Sequence, residues 1–129
     1  MRILYLEHYA GSPEYGMEYR PYYLAKEWVA AGHEVTIVAA SYSHMRSRQP
    51  SVHSRLTVEM IDGIQYVWLQ TPKYEQNGAK RIVNIIEYLR GLYSVPNFLG
   101  GYPFDAVIAS STYPFDNDFA HRMAVKWGA

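Results

Sequence analysis

The chain has no cysteine, no net charge and no long apolar run. Its 129 residues therefore offer no disulfide, no thiolate nucleophile and no cysteine ligand for a metal. Twelve Lys plus Arg balance twelve Asp plus Glu, so the overall charge does not indicate a nucleic-acid partner. No run approaches the roughly 20 apolar residues that a membrane-spanning helix needs. A reducing, cytoplasmic location is the default expectation.

Two phosphate-binding fingerprints are also missing. The pattern G-x-G-x-x-G does not follow the first apolar run, and no acid ends the second run, where a ribose partner would lie. A Walker A pattern is absent as well. His44 and His53 lie in one polar loop without the spacing of a metal site, so no metal is expected. These absences exclude NAD-type binding.

Short apolar runs alternate with helical patterns. Residues 1–7 and 34–40 are predicted to be buried parallel strands, with a helix over residues 18–31 between them. Strand, helix and strand in so short a span imply a right-handed crossover. The apolar positions of this helix recur at helical spacing: Leu24, Ala25, Trp28 and Val29.

The second half of the chain continues this alternation. Asp62-Gly63 between two apolar runs predicts a β-hairpin over residues 56–70, whose second arm joins the main sheet. Residues 104–109 predict another buried strand. Two helices are expected, one with Ile82, Ile85, Ile86, Leu89, Leu92 and Tyr93 on its apolar face, and one beginning near the acids Asp116 and Asp118.

Together these elements predict one α/β domain over residues 1–129. We expect a Rossmann-like three-layer sandwich, with a mainly parallel sheet and a β-hairpin insertion. The chain stops where a parallel αβ unit would lead into its next strand. We therefore expect a truncated domain.

The loop that follows the first strand is the main candidate for ligand binding. A glycine-bearing turn ahead of a helix presents backbone N–H groups to an anion, although Gly11 and Gly16 can equally serve only to turn the chain. Glu7 and His8 lie where the strand exits, at the ligand edge of such sheets. A histidine there can act as acid or base, but a lone one is more often a hydrogen-bonded structural residue.

Two further loops carry polar groups. Residues 41–55 contain Arg46 and Arg48 and no acid. Such a loop can bind phosphate or contact anionic lipid, although a solvated loop without a ligand is slightly favoured. Ser110 and Ser111 follow the last strand without a G-x-S-x-G elbow. Polar ligand contact or helix capping is therefore preferred to a nucleophilic role.

The residues at 2–6, 8–9, 16–18, 24–27 and 32–38 together resemble the N-terminal domain of family 4 glycosyltransferases. The resemblance extends to Asp62-Gly63-Ile64 and to residues 104–111, so it covers nearly the whole chain. Members of that family are retaining enzymes of the GT-B fold. The resemblance implies that this chain is the incomplete N-terminal half of such an enzyme, whose donor-binding C-terminal domain lies outside it.

The resemblance also implies a reaction and its partners. In such enzymes two Rossmann-like domains face each other across a cleft, and the N-terminal one mainly takes the acceptor. The parent protein would move a hexosyl or related sugar from a nucleotide sugar to a glycan or lipid-linked glycan in polysaccharide biosynthesis. It would work in the cytoplasm, with peripheral contact to the inner bacterial membrane, and without a metal or other cofactor.

By the same resemblance, the 129-residue chain alone would be inactive and would supply no catalytic residue. The donor phosphates would approach a loop formed by Gly11, Gly16, Met17 and Glu18. The acceptor side would be formed by His8, His44, Arg46, Arg48, Ser110, Ser111 and Tyr113.

Two other hypotheses are weighed against this one. The chain can instead be a non-catalytic Rossmann-like module that binds a ligand. A phosphoacceptor receiver domain is disfavoured, because the first strand ends in Glu7-His8 without an acid pair and no later strand supplies a suitable Asp.

Overall fold

The computed structural model describes residues 1–75 and 78–129. Within those residues it contains five strands and four helices. In chain order they are β1 (Arg2–Leu6), α1 (Arg20–Ala30), β2 (Glu34–Ala40), β3 (Leu56–Ile61), β4 (Ile64–Leu69), α2 (Ala79–Leu92), α3 (Val95–Phe98), β5 (Ala106–Ala109) and α4 (Asp116–Trp127).

The strands form one sheet in the order β3-β4-β2-β1-β5. Strands β1, β2, β4 and β5 run parallel, and β3 is antiparallel to β4. The two central strands, β1 and β2, are almost continuously buried, as expected when helices cover both faces of a parallel sheet. The predicted α/β class and Rossmann-like arrangement are confirmed.

The predicted hairpin is present between β3 and β4. Asp62 and Gly63 both have positive φ, at 49° and 80°, which is the backbone of a type I′ turn. The Tyr22 hydroxyl donates a hydrogen bond to the Asp62 carboxylate and so ties the turn to α1. Strand β4 pairs with β2 in parallel, so the second arm joins the main sheet as expected.

Alternation along β1 divides the core into two layers. Ile3 and Tyr5 pack on the face covered by α1, whereas Leu4 and Leu6 pack on the face covered by α2 and α4. This makes three layers, with the sheet in the middle. None of the helices in the described part of the chain is long and apolar enough to cross a membrane.

The face that α2 buries differs from the predicted one. Asn84, Tyr88 and Leu92 are buried, whereas Ile82 and Ile86 of the expected apolar stripe are 60% and 45% exposed. The reason is that Asn84 finds polar partners inside the protein, as described below, and a buried amide with partners is stable there. The helix was predicted correctly and its buried face in part: Leu92 is buried and Leu89 packs against the core as expected, whereas Ile82, Ile86 and Tyr93 are exposed.

Two smaller differences concern α1 and α3. Helix α1 begins at Arg20 rather than at residue 18, because the Glu18 N–H donates to the Tyr9 carbonyl in the preceding loop. Leu24, expected in the core, is 41% exposed. The short helix α3 was not predicted from the sequence, although it contributes Val95 to the core.

Candidate functional site

Polar side chains collect where β1 and β5 end. The two strands are parallel neighbours, so their carboxyl ends open at the same edge of the sheet. Glu7 and His8 follow β1, and Ser110 and Ser111 follow β5. The His8 N–H donates to Ser111 Oγ at 3.1 Å, which joins the two segments. The edge predicted to bind ligands therefore exists and carries residues from both strands.

We call Glu7, Arg20, Ser110, Ser111 and Asp116 the acidic cluster. Glu7 is 1% exposed, and its Oε2 lies 3.6 Å from Nη2 of Arg20, a residue at the start of α1. The same guanidinium nitrogen donates to Ser110 Oγ at 2.9 Å. Among the residues with described positions, Oε2 of Glu7 has no hydrogen-bond partner.

Burial governs the protonation of both acids in this cluster. It raises the pKa of Glu7 to about 7, an effect that the Ser110 hydroxyl and the Arg20 charge reduce and the Asp116 charge reinforces. Burial also raises the pKa of Asp116, while the neighbouring Ser111 lowers it. Within the described part of the chain, neither Asp116 oxygen has a partner at hydrogen-bond geometry. The cluster thus holds two buried acids whose pKa values are raised by burial and lowered by hydrogen bonds from Ser110, Ser111 and the Tyr9 backbone N–H.

His8 lies in a separate set of contacts, which we call the histidine cluster. Asn84 donates through Nδ2 to Thr71 Oγ1 and the Pro72 carbonyl, at 3.0 and 2.8 Å, so its Oδ1 is the atom that faces His8. Nε2 of His8 must therefore donate to Oδ1, at 2.7 Å, and Nδ1 must accept from the Tyr113 hydroxyl.

This network keeps His8 neutral. The side chain is fully buried, and desolvation lowers its pKa to about 3. Its ring also contacts the rings of Tyr88 and Tyr113. Both ring nitrogens are engaged inside the protein, so His8 holds the edge of the sheet together and presents no free nitrogen to an acceptor.

The loop expected at the donor phosphates is closed by its own backbone. N–H groups donate across it from Gly11 to the Glu18 carbonyl, from Gly16 to Ser12 and from Glu18 to Tyr9, at 2.8, 2.7 and 3.1 Å. The expectation of free amides is therefore wrong at Gly11, Gly16 and Glu18, because the two sides of this narrow loop bond to each other. Met17 lies at the surface and is 48% exposed.

Both glycines have steric reasons to be glycine. A Cβ on Gly11 would lie 1.8 Å from the Gly16 carbonyl oxygen. Gly16 has a φ of +99°, and a Cβ there would lie 2.9 Å from the Ser47 backbone nitrogen. Of the two interpretations of these glycines, the geometry supports the one in which they turn the chain.

Arg46 lies in residues 41–55, which we call the basic loop, and is a buried structural residue. Its Nη1 donates to the Ala10 carbonyl at 2.7 Å and its Nη2 to the Ala40 carbonyl, while the guanidinium lies 5.0 Å from the Trp68 ring centre. Burial lowers its pKa to about 10, so it stays charged at neutral pH. The side chain fastens its loop to the loop after β1.

Arg48 and His44, the other residues of this loop that were expected on the acceptor side, lie at the surface, each with a protein partner. Arg48 pairs with Glu14 at 2.7 Å, and His44 Nδ1 bonds to the Tyr74 hydroxyl at 2.7 Å. Desolvation lowers the pKa of His44. Of the predicted acceptor-side residues, the structure brings together His8, Ser110, Ser111 and Tyr113; Arg46 and Arg48 lie in the loop that follows β2.

A depression of about 310 Å³ lies at the opposite, amino-terminal edge of the sheet. Arg2 and Glu34 line it and pair with each other at 3.2 Å, and Arg2 also donates to the Pro103 carbonyl at 2.7 Å. The charges in this depression therefore already have partners. The acidic cluster, where Glu7 and Asp116 are buried beside Ser110 and Ser111 at the carboxyl edge of the sheet, is the stronger candidate for binding.

Reasoning from the sequence missed Asn84 and the burial of Asp116. The signal for Asn84 was a polar residue at helical spacing from Tyr88 and Leu92. Asp116 had only the signal of an ordinary acid in the first turn of a helix.

The fold and the site define an α/β domain with a polar ligand edge. Over residues 1–75 and 78–129, no group of three or more His, Asp or Glu side chains could hold a metal ion. Comparisons with protein-family models, with curated proteins and with solved structures found no match.

Proposed function

We propose that this chain is the acceptor-side domain of a retaining GT-B glycosyltransferase. Such an enzyme moves a sugar from a nucleotide sugar onto a glycan or lipid-linked glycan of the cell envelope. The observation that carries the proposal is the acidic cluster at the carboxyl edge of the sheet, where Glu7 lies beside Arg20 and Ser110. Carboxyl and hydroxyl groups at this edge suit a ligand rich in hydroxyls. The sequence resemblance supplies the family.

The closed loop bears on which domain of the proposed enzyme would bind the donor diphosphate. Because the amides of Gly11 and Gly16 are already bonded, the leaving diphosphate would be stabilised by basic groups of a donor-binding domain. In this proposal the present chain holds the acceptor and forms one wall of the cleft. A lipid-linked acceptor would place the enzyme at the cytoplasmic face of the membrane.

The test is an assay of a protein that joins this chain to the proposed donor-binding domain. We expect transfer from at least one nucleotide sugar to a polyprenyl-diphosphate-linked sugar, with retention of anomeric configuration by NMR. Replacement of Ser110 by Ala should raise the acceptor KM about tenfold, since one good hydrogen bond is lost. Ser51→Ala, an exposed position in the basic loop, is the control. Absence of both transfer and donor hydrolysis across a broad panel would overturn the proposal.

The second candidate is a non-catalytic module that binds an uncharged ligand at the same edge. The closed loop favours it, because this chain by itself offers no free amides of Gly11, Gly16 or Glu18 to a diphosphate. It predicts sugar binding without transfer in every protein that contains this chain.

A further inference from the structure

Helix α2 carries large apolar side chains on the side that faces away from the sheet. Ile82, Val83, Ile86 and Tyr93, which we call the outer face of α2, are 60%, 48%, 45% and 53% exposed. Intervals of three, four and seven residues connect these positions, so they lie along one side of the helix. Exposed apolar side chains that form a continuous row indicate a contact surface, whereas single ones do not.

The outer face continues into an apolar groove between α2 and α4. The groove has a volume of about 270 Å³ and is lined by Leu89, Arg90, Tyr93, Phe115 and Phe119. Phe115, directly before α4, is 63% exposed, and the Tyr93 ring packs edge-on against the Phe119 ring at 5.2 Å. The exposed apolar surface therefore extends from one helix to the next.

The charges of α2 are mainly positive. Glu87 is the only acid in the sequence of this helix, which also contains Lys80, Arg81 and Arg90, so the helix has a net charge of +2. The Glu87 carboxylate pairs with Arg90 at 3.3 Å, and Arg81 donates to the neutral Tyr9 hydroxyl at 3.1 Å. Lys80 is exposed at the start of the helix, and the Arg90 side chain is 74% exposed near its end. Basic groups thus border the outer face at both ends.

The nearby acids of α4 do not reverse this positive charge. Asp118 accepts from the Tyr93 hydroxyl at 3.3 Å and also pairs with Arg122 at 2.8 Å. Asp116 is only 1% exposed. The surface as a whole is therefore apolar with a positive border.

An anionic membrane surface has the chemistry that matches both properties. Apolar side chains on one side of a helix enter the boundary between lipid headgroups and acyl chains, and neighbouring Lys and Arg side chains attract anionic headgroups. Tyrosine favours this boundary, because its ring is apolar and its hydroxyl is polar. A nucleic acid would match only the charge. A protein partner would match the apolar row, but lysine is depleted in protein interfaces.

We infer that the outer face of α2 binds the surface of an anionic lipid membrane. Helix α2 lies in the plane of the membrane, Ile82, Ile86 and Tyr93 enter the lipid boundary, and Lys80 and Arg90 contact headgroups. The acidic cluster shares no residue with this surface. The inference therefore does not depend on the glycosyltransferase proposal, and it holds for a chain that transfers no sugar.

The test is cosedimentation of the chain with lipid vesicles. The chain should bind vesicles of phosphatidylcholine mixed with phosphatidylglycerol about tenfold or more tightly than vesicles of phosphatidylcholine alone, because each basic side chain near an anionic surface contributes about fivefold. Millimolar inorganic phosphate at constant ionic strength should leave this binding unchanged. Failure to bind the phosphatidylglycerol vesicles, or release by inorganic phosphate, would overturn the inference.

Substitutions then assign the binding to the outer face. The double variant Ile82→Gln/Ile86→Gln should bind the anionic vesicles about tenfold or more weakly, because two apolar side chains no longer enter the lipid. Lys80→Gln should weaken binding about fivefold. The matched controls Leu24→Gln and Lys26→Gln change exposed residues of α1, on the other face of the sheet, and should bind as the parent chain does. Unchanged vesicle affinity in a folded Ile82→Gln/Ile86→Gln protein would contradict the inference.

NMR of the chain on lipid nanodiscs tests the orientation. A spin-labelled lipid should broaden the amide resonances of Ile82, Ile86 and Tyr93 more than those of Leu24 and Lys26. Equal or reversed broadening would reject the outer face as the bound surface. Self-association of the chain without vesicle binding, abolished in Ile82→Gln/Ile86→Gln, would identify a protein interface and overturn the membrane assignment.

Discussion

Glu7 and His8 are adjacent, and both are buried at the end of β1, yet they lie in clusters of opposite character. Because side chains alternate along extended backbone, Glu7 faces Arg20 of α1 and His8 faces Asn84 of α2. In the histidine cluster both ring nitrogens have partners. In the acidic cluster Oε2 of Glu7 accepts no hydrogen bond within the described chain and lies 3.6 Å from the Arg20 guanidinium, with which it forms an ion pair. A complete network indicates a structural role for His8.

The two residues also respond to pH in opposite directions. Burial lowers the pKa of His8 from 6.5 to about 3, so its contribution to stability is lost as pH falls through that range. Burial raises the pKa of Glu7 from 4.5 to about 7, so the protonated form stabilises the fold and stability is lost as pH rises through that range. Between about pH 4.5 and pH 6.5, where the two ranges overlap, the opposite effects of His8 and Glu7 on the free energy of unfolding partly cancel.

The largest expected effect comes from breaking the histidine cluster. His8→Ala should lower the free energy of unfolding by about 3–5 kcal/mol, because it leaves a cavity and removes a partner from Asn84 and from Tyr113. Urea unfolding followed by circular dichroism measures it. His33→Ala, at the other end of the sheet, should change stability by about 0.5 kcal/mol. Equal losses of unfolding free energy in His8→Ala and His33→Ala would show that the histidine cluster contributes no more to stability than the contacts of His33.

A smaller effect is expected from removing the charge of Glu7. The Glu7→Gln variant has no carboxyl to ionise at this position. The difference between its free energy of unfolding and that of the parent chain should therefore shift in favour of the variant by roughly 3 kcal/mol from about pH 5 to about pH 8. Urea unfolding at the two pH values measures the change. Glu14→Gln, an exposed acid in the loop after β1, should show no such trend. A pH-independent difference for Glu7→Gln would mean that Glu7 does not titrate in this range.

The smallest effect concerns the Arg20 charge. In the parent chain the Arg20 cation favours the ionised Glu7 carboxyl. Arg20→Gln removes that cation and should raise the pKa of Glu7 above about 7. The shift should be less than about one pH unit, since Arg20 is largely exposed and its charge is screened by water. A ¹³C NMR titration of the Glu7 carboxyl measures it, with Arg48→Gln as the control. A lower pKa in Arg20→Gln would contradict the assigned ion pair.

Much of the architecture was accessible from short stretches of sequence. The apolar runs predicted β1 and β2, and Asp62-Gly63 predicted the hairpin, because these signals depend on residues close together in the chain. The buried face of α2 was found only in part, since Leu92 of the predicted stripe is buried whereas Ile82 and Ile86 of the same stripe are exposed.

The site divides in the same way. Its location at the carboxyl edge follows from parallel strands, so Glu7, Ser110 and Ser111 were found without a structure. Which polar groups have hydrogen-bond partners was not predictable from the sequence. Whether an amide or a carboxyl has a partner depends on residues far away in the chain, such as Asn84 beside His8 or Arg20 beside Ser110.

The loop after β1 shows this limit most clearly. Local patterning was enough to identify a turn with two glycines between a strand and a helix, because chain reversal is a local property. Only folding decided that Gly11 and Gly16 bond across the loop instead of facing an anion, and that Arg46 fastens the loop from inside. Packing between distant segments determines which backbone donors remain free, and in this loop it leaves those of Gly11, Gly16 and Glu18 bonded.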